Sequence, residues 1–190
     1  MSCPPLVSVI MPTCNHGRFL RDSIQSVLDQ AEVSLELIVI DDGSTDNTPA
    51  VAASFGNAIQ YHRQPNAGGA AALNHGLRKA RGEFIAILDS DDLWLPGKLA
   101  RQVRHLRENP ECSFCFGRVR YFLEPGHPLP PRYKTADLDG TQEGAYPSLM
   151  LVRAVVFARV GLFNVDLRIA YDTDWFGRAR SHGYRFHHMD

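Results

Sequence analysis

The 190-residue sequence lacks a charge imbalance, a long apolar run and a set of paired cysteine motifs. Its 20 basic and 21 acidic residues leave a net charge of -1, so no global field draws the chain to nucleic acid or an anionic membrane, and nucleic acid is not an expected partner. No apolar stretch approaches the roughly 18 residues of a spanning helix, so no transmembrane segment is expected. The first residues, MSCPPLVSVIMPT, carry no charged leader and turn straight into a strand-like pattern, which argues against a signal peptide. The expected location is therefore the cytoplasm, including the membrane periphery or the cytoplasmic part of a larger protein. Four cysteines are present, Cys3, Cys14, Cys112 and Cys115. The last two form a CxxC inside the apolar run CSFCF with no second pair at zinc spacing, so reduced core thiols are expected rather than a zinc or redox centre. No GxGxxG follows any strand pattern, which disfavours a dinucleotide-dependent dehydrogenase.

What is present is a 44% hydrophobic, 22% charged composition suited to one soluble domain with a real core. The chain is organised around residues 82–95, GEFIAILDSDDLWL. Residues 84–88 are a short apolar run, the pattern of a strand buried on both faces, and it ends abruptly in Asp89, Ser90, Asp91 and Asp92. If the extended geometry carries through Asp91, Asp89 and Asp91 share one side while Ser90 points away. Carboxylates crowded at the carboxyl end of a central strand repel one another unless a cation sits between them, and an oxygen-only ligand set suits Mg²⁺ or Mn²⁺. Such an ion keeps coordination positions for substrate phosphates. The same acids are also compatible with a turn that caps the next helix; their pairing with a buried strand favours the metal reading.

Residues 6–11 (LVSVIM) and 35–40 (LELIVI) repeat the buried-strand pattern, the second ending in Asp41 and Asp42. Both acidic strand ends would open onto one edge of a parallel sheet and share one site. Phe19, Leu20, Ile24, Val27 and Leu28 fall at helical spacing up to about residue 30. Further helices are expected over 47–55, with Thr45 or Asp46 as cap, over 70–80, ended by Gly82, and over 96–108, begun by Pro96 and stopped by Asn109 and Pro110. Short strands are expected at 59–62 and 112–122. Strands alternating with helices in this way predict an α/β fold with a mainly parallel, Rossmann-like sheet flanked by helices. Residues 124–146 break the rhythm with Pro125, Pro128, Pro130 and Pro131 and read as a flexible functional loop. A strand at 148–152, helices at 154–160 and 172–182, and a strand-like stretch at 184–188 complete the chain. A strand pattern so near the end suggests a single domain truncated at its carboxyl terminus. Trp94 reads as core, Trp94 and Trp175 are both candidates for sugar stacking, Lys98 and Arg101 should solvate a helix face, and His187 and His188 should alternate between surface and core.

Five stretches together resemble the family 2 glycosyltransferases, which have the GT-A fold of nucleotide-diphospho-sugar transferases. They are VSVIMPTCN at 7–15, ELIVIDDGSTDNT at 36–48, NAGG with LNHGL within 66–77, GEFIAILDSDDLWLPGKL at 82–99, and VGLFNVDLRIAYDTDWFGRARSHGY at 160–184. The resemblance implies metal-dependent transfer of a sugar, with inversion, from a nucleotide-diphosphate-sugar donor, UDP-sugars foremost, to a saccharide or lipid-linked acceptor. It implies a metal, Mn²⁺ or Mg²⁺, at the DxD pair, with Asp91 as direct ligand and Asp89 facing the ribose or the ion's shell. Pro12, Asn15, Asp42, Asn66, Gly68, Asp89 and Ser90 would bind the nucleotide-sugar, Asp42 meeting the nucleobase, and Asp172 would be the general base, with Asp174 a step away. Four features depart from the family pattern: Cys14 replaces an aromatic residue, Leu73 an arginine and Tyr171 a glutamate, and the QxxRW element of processive members is absent. Two other readings stay open, an inactive nucleotide-sugar binding domain and a sugar-nucleotide pyrophosphorylase, although PTCNHGR stands where the latter needs a glycine-rich basic loop.

Overall fold

The computed structural model describes residues 6–124, 126–131, 133–138 and 140–189; Cys3 and Pro125 lie outside them. Strand β1 (Val7–Thr13), helix α1 (Gly17–Leu28), β2 (Leu35–Asp42), α2 (Thr48–Ala53), β3 (Gln60–Gln64), α3 (Gly69–Lys79) and β4 (Phe84–Ile87) form successive βαβ units. There follow α4 (Lys98–Glu108), β5 (Phe114–Phe116), β6 (Arg118–Val119), β7 (Gln142–Glu143), β8 (Met150–Arg153), α5 (Ala154–Val160), α6 (Tyr171–Ser181) and β9 (His187–His188). The main sheet has the order β3-β2-β1-β4-β8-β5-β9. Its first four strands are parallel, β8 runs antiparallel to both β4 and β5, and β9 is parallel to β5.

The alternation within β1 explains the layering. Val7, Val9 and Met11 face a core shared with Leu20 and Ile24 of α1, Ala52 of α2 and Leu99 and Val103 of α4. Ile10 faces the opposite core with Ala70 and Leu73 of α3, Val156 and Phe157 of α5, and Trp175 and Phe176 of α6. Near-continuous apolar strands are what a sheet covered on both faces requires. The chain winds from β1 outward to β3, then returns to place β4 on the other side of β1, with Val7 opposite Phe84 and Ile10 opposite Ile87. The crevice beyond the carboxyl ends of β1 and β4 is therefore the point where the winding reverses, the place where open α/β sheets receive ligands.

Several local expectations change. The stretch 112–122 is not one strand: β5 ends at Phe116, Gly117 donates to the Leu149 carbonyl at 3.0 Å, and β6 leaves to pair with β7 in a separate two-stranded sheet. Helix α4 starts at Lys98, not Pro96, because Gly97 takes the left-handed conformation (φ 74°) that a helix interior excludes. Gly82 does not terminate α3, which ends at Lys79; a Cβ there would lie 2.5 Å from the Ser8 amide, so glycine allows the chain to pass close to β1. Lys98 is not solvated: its ammonium is buried 4.1 Å over the Trp94 ring with no hydrogen-bond partner among the described residues, and loss of water lowers its pKa to about 7. Trp94 and Trp175 are both core, their indole nitrogens donating to the carbonyls of Ser148 (3.2 Å) and Gly161 (2.9 Å). Among the described residues no helix is long and apolar enough to cross a membrane.

Candidate functional site

Two polar assemblies stand at the carboxyl edge of the sheet. The first gathers around the end of β2. Asp42 is buried and its Oδ1 accepts from the Gln64 side chain (2.8 Å) and the Ala67 amide (2.9 Å), while Oδ2 accepts from the Gly68 amide (2.8 Å). Asn66 donates to the Asp42 carbonyl at 2.9 Å and to Cys14 Sγ at 3.3 Å. Asn15, in the left-handed region at φ 57°, accepts on Oδ1 from the Thr45 amide (2.7 Å) and donates its own amide to Ser44 Oγ (2.9 Å). Pro12 sits beside Ile40 in the β1–β2 register, and Asp46 accepts from the Gly17 amide (3.0 Å) and from Thr48 (2.9 Å), bracing α1 against the start of α2. Asn15, Asp42, Asn66 and Gly68 are thus tied into one shelf by short loops whose turn residues the sequence displays openly.

The second assembly is a cleft of about 640 Å³ between the end of β4, the chain after β5, and the start of α6. Asp89, Asp91, Asp92, Ser148, Tyr171 and Asp172 line it. The strand geometry stops at Ile87, and residues 89–92 close a turn in which the Asp92 amide donates to the Asp89 carbonyl at 3.0 Å. The acids are therefore brought to the cleft by a turn rather than by strand alternation. Ser90 faces the other way, its Oγ 2.9 Å from His16 Nδ1 and its carbonyl accepting from Ser23 (2.9 Å), so it supports α1 instead of the cleft. Ser148 donates to Asp89 Oδ2 at 2.8 Å. Asp89 stays open to solvent, yet shielding by the surrounding cleft raises its pKa, the Ser148 hydrogen bond opposes the rise, and repulsion from Asp91 and Asp172 adds to it. Loss of water, then repulsion by Asp89 and Asp91, pushes Asp92 up to about 6. Oxygen donors of this kind are the type that a hard divalent cation such as Mg²⁺ or Mn²⁺ takes.

Asp172 reaches the same cleft from α6, on an element separate in sequence from the acidic turn. Ala170, just before the helix, is held at φ 60°, which with Asn15 makes the only non-glycine left-handed residues among those described. Strained backbone of this sort costs about 1–3 kcal/mol and collects at functional positions. Asp174 is occupied elsewhere, accepting from Arg178 Nε at 2.9 Å. Tyr171 packs its hydroxyl against Gly69, where a Cβ would approach to 2.7 Å, and its ring edge-on to Phe163. The segment that carries Asp172 is clamped to α3 by Asn74, which donates to the Phe163 carbonyl (2.8 Å) and accepts from the Phe163 amide (3.0 Å).

Reading residues in order missed Ser148, which lies beside an irregular stretch, and Arg120 and Arg168, which bring positive charge to the cleft. Nothing in their local pattern distinguishes them from surface residues; only the fold folds them over the acids. His187 and His188 lie in β9 and are not among the residues lining this cleft.

This arrangement of sheet, switch point and acidic turn defines a nucleotide-diphospho-sugar transferase fold of the GT-A type. The family model for glycosyl transferase family 2 matches residues 8–163, and the chain belongs to that family. An uncharacterized glycosyltransferase of Rickettsia typhi is 32% identical over 200 residues, covering 97% of this chain and 62% of the relative. The chain thus spans less than two thirds of that relative's length. Among solved structures, S. aureus TarS 1–349 in complex with UDP-GlcNAc superposes with a TM-score of 0.74 at 21% identity, over 96% of this chain and 55% of that one. A mannosyltransferase from Pyrobaculum calidifontis in complex with GDP-Man and Mn²⁺ superposes with a TM-score of 0.73 at 26% identity, over 99% of this chain and 55% of that one.

Proposed function

We propose that this protein transfers a sugar, with inversion, from a nucleoside-diphosphate sugar to an acceptor hydroxyl, and that the transfer depends on Mn²⁺ or Mg²⁺. The observation that carries the reading is the convergence of Asp89 and Asp91 from one element and Asp172 from another on a single cleft. UDP-sugars are the first candidates as donor and GDP-sugars the next, in line with family 2 membership and with fold neighbours bound to UDP-GlcNAc and to GDP-Man.

In this reading Pro12, Asn15, Asp42, Asn66 and Gly68 shape the nucleoside shelf. Asp42 fixes the 64–69 loop so that little is left to order when the base arrives. Asp91, with Asp89, holds the divalent ion, which when bound offsets the negative charge that grows on the departing nucleoside diphosphate. Arg120 and Arg168 supply further positive charge on the cleft wall. Ser148 keeps the Asp89 carboxylate oriented. Asp172 accepts the proton of the acceptor hydroxyl as its oxygen attacks the anomeric carbon and the bond to the diphosphate breaks. Asp174 is held by Arg178 and is therefore the weaker candidate for that role.

The test is release of nucleoside diphosphate from a panel of UDP-, GDP-, dTDP- and CDP-sugars, with an acceptor mixture, in Mn²⁺, Mg²⁺ or chelator. Release from one nucleotide class that stops in chelator, with a product of inverted anomeric configuration by NMR, is expected. Turnover that persists in chelator removes the metal from the reading, and a retained configuration removes Asp172 as base.

A further inference from the structure

The CxxC motif has no second zinc-spaced pair in the sequence, yet the fold supplies other partners to one of its thiols. His105, in the last turn of α4, Cys112, in the loop before β5, and His187, the first residue of β9, offer one ligand atom each within 4.8 Å of one another. Cys112 is buried and the two histidines half-buried. The rings of His105 and His187 stand 6.1 Å apart. His105 Nε2 is buried with no hydrogen-bond partner among the described residues, which is uncommon for a ring nitrogen in a folded protein. The Cys112 thiol donates to the Phe114 carbonyl at 3.4 Å.

We propose that His105, Cys112 and His187 form a transition-metal site, Zn²⁺ being the natural occupant, separate from the acidic cleft. Two imidazoles and a thiolate are a borderline-soft set that suits Zn²⁺ and not Mg²⁺ or Mn²⁺. Zinc takes nitrogen at about 2.0–2.1 Å and sulfur at about 2.3 Å, so tetrahedral donors lie roughly 3.3–3.6 Å apart. Side-chain rotations that draw the three atoms together by about 1 Å supply three corners of the tetrahedron, and a water molecule would take the fourth. On binding, the Cys112 S–H bond breaks, the proton leaves to solvent, and the Sγ electron pair goes to the metal. Each histidine binds as neutral imidazole.

Position decides the role. Val119 and Arg120, which follow β5, line the acidic cleft, whereas Cys112 precedes that strand and lies toward its other end. β9 is only two residues long and is held to β5 by the Cys115–His187 and Phe116–His188 pairings and a 2.9 Å bond from the Met189 amide to the Phe116 carbonyl. An ion here ties α4, the α4–β5 loop and β9 together, a structural cross-link at the margin of the sheet.

Cobalt is the probe, because Co²⁺ bound by a thiolate absorbs in the near ultraviolet and gives visible bands when tetrahedral. Metal-stripped full chain titrated with Co²⁺ is expected to saturate at one equivalent with both features. Cys112→Ser should remove the near-ultraviolet band and His187→Asn the tetrahedral bands, circular dichroism verifying that both variants fold, while Asp91→Ala keeps them. Zn²⁺ at a hundred times its Kd should displace the cobalt and raise the thermal midpoint by roughly 5–10 °C. Absence of the thiolate band in folded wild-type protein, or an unchanged spectrum in folded His187→Asn, overturns the proposal.

Discussion

The shelf at the end of β2 and the cleft at the end of β4 are neighbours on one sheet edge but are built on opposite principles. Around β2 every carboxylate finds its partner within the chain. Asp42 accepts three hydrogen bonds from the 64–69 loop, and at the far edge of the sheet the buried Glu36 accepts from Ser8 (2.6 Å), Gln60 (2.7 Å) and the Arg81 side chain (2.6 Å). Burial alone would raise the Glu36 pKa, but those bonds outweigh it and hold the carboxyl below its usual range. Around β4 the acids are left wanting: Asp89 and Asp92 are pushed up and no basic side chain pairs with either among the described residues. Large apolar side chains also stand exposed nearby, Phe122 at 63% and Ile169 at 82%. The first region is finished by its own sequence; the second leaves Asp89 and Asp92 without a basic partner among the described residues.

The largest effect is expected at Asp172. Asp172→Asn should lower transfer by about 10²- to 10⁴-fold, the range for loss of a general base, while donor affinity stays at the wild-type value. Parallel measurement of nucleotide release and equilibrium donor binding checks it, and loss of binding together with rate would show that Asp172 belongs to the donor shelf instead.

Asn74 is the clamp between the two regions. Asn74→Ala leaves the buried Phe163 amide and carbonyl without their partner and should cost about 1–3 kcal/mol in urea unfolding. The residual activity of the folded variant should fall further than its donor affinity, because only the Asp172 segment has been loosened.

The electrostatic contrast predicts a pH signature. Asp92 has a folded pKa of about 6, above its unfolded value, so its contribution to stability is full below about pH 4 and is lost as pH rises through about 6. In chelator, the thermal midpoint of the wild type should therefore drop more between pH 5 and 7 than that of Asp92→Asn, and Mn²⁺ at pH 7 should recover the difference. Equal slopes would mean that the Asp92 carboxyl is neither shielded from water nor crowded by Asp89 and Asp91 in the folded chain. The smallest effect is expected at Lys98, whose buried ammonium has no ion pair among the described residues and rests on the Trp94 ring: Lys98→Met should leave stability unchanged or slightly higher by denaturant unfolding.

How far the sequence can be read follows the same divide. The apolar runs of β1, β2 and β4 have one structural solution, a sheet covered on both faces, and helix α5 begins and ends where its pattern and Gly161 place it. The acids Asp42, Asp89 and Asp91 announce themselves by ending those runs. Beyond Cys112 the pattern misleads, because a continuous β-compatible stretch is divided at Gly117 between two sheets, a choice made by the Leu149 carbonyl from a distant strand. Ser148, Arg120 and Lys98 escape for one reason: their roles come from tertiary neighbours, and a local pattern encodes only burial and turns. The metal reading of Cys112 is the extreme case, since its partners lie 7 residues before and 75 after it.

The most direct measurement is calorimetric binding of UDP and UDP-sugars to the wild type and to Asp91→Ala, each with Mn²⁺ and with chelator. Wild-type binding is expected to need the cation, and Asp91→Ala, still folded, is expected no longer to respond to it. Equal, cation-independent binding by both proteins would contradict it and detach the acidic turn from the diphosphate.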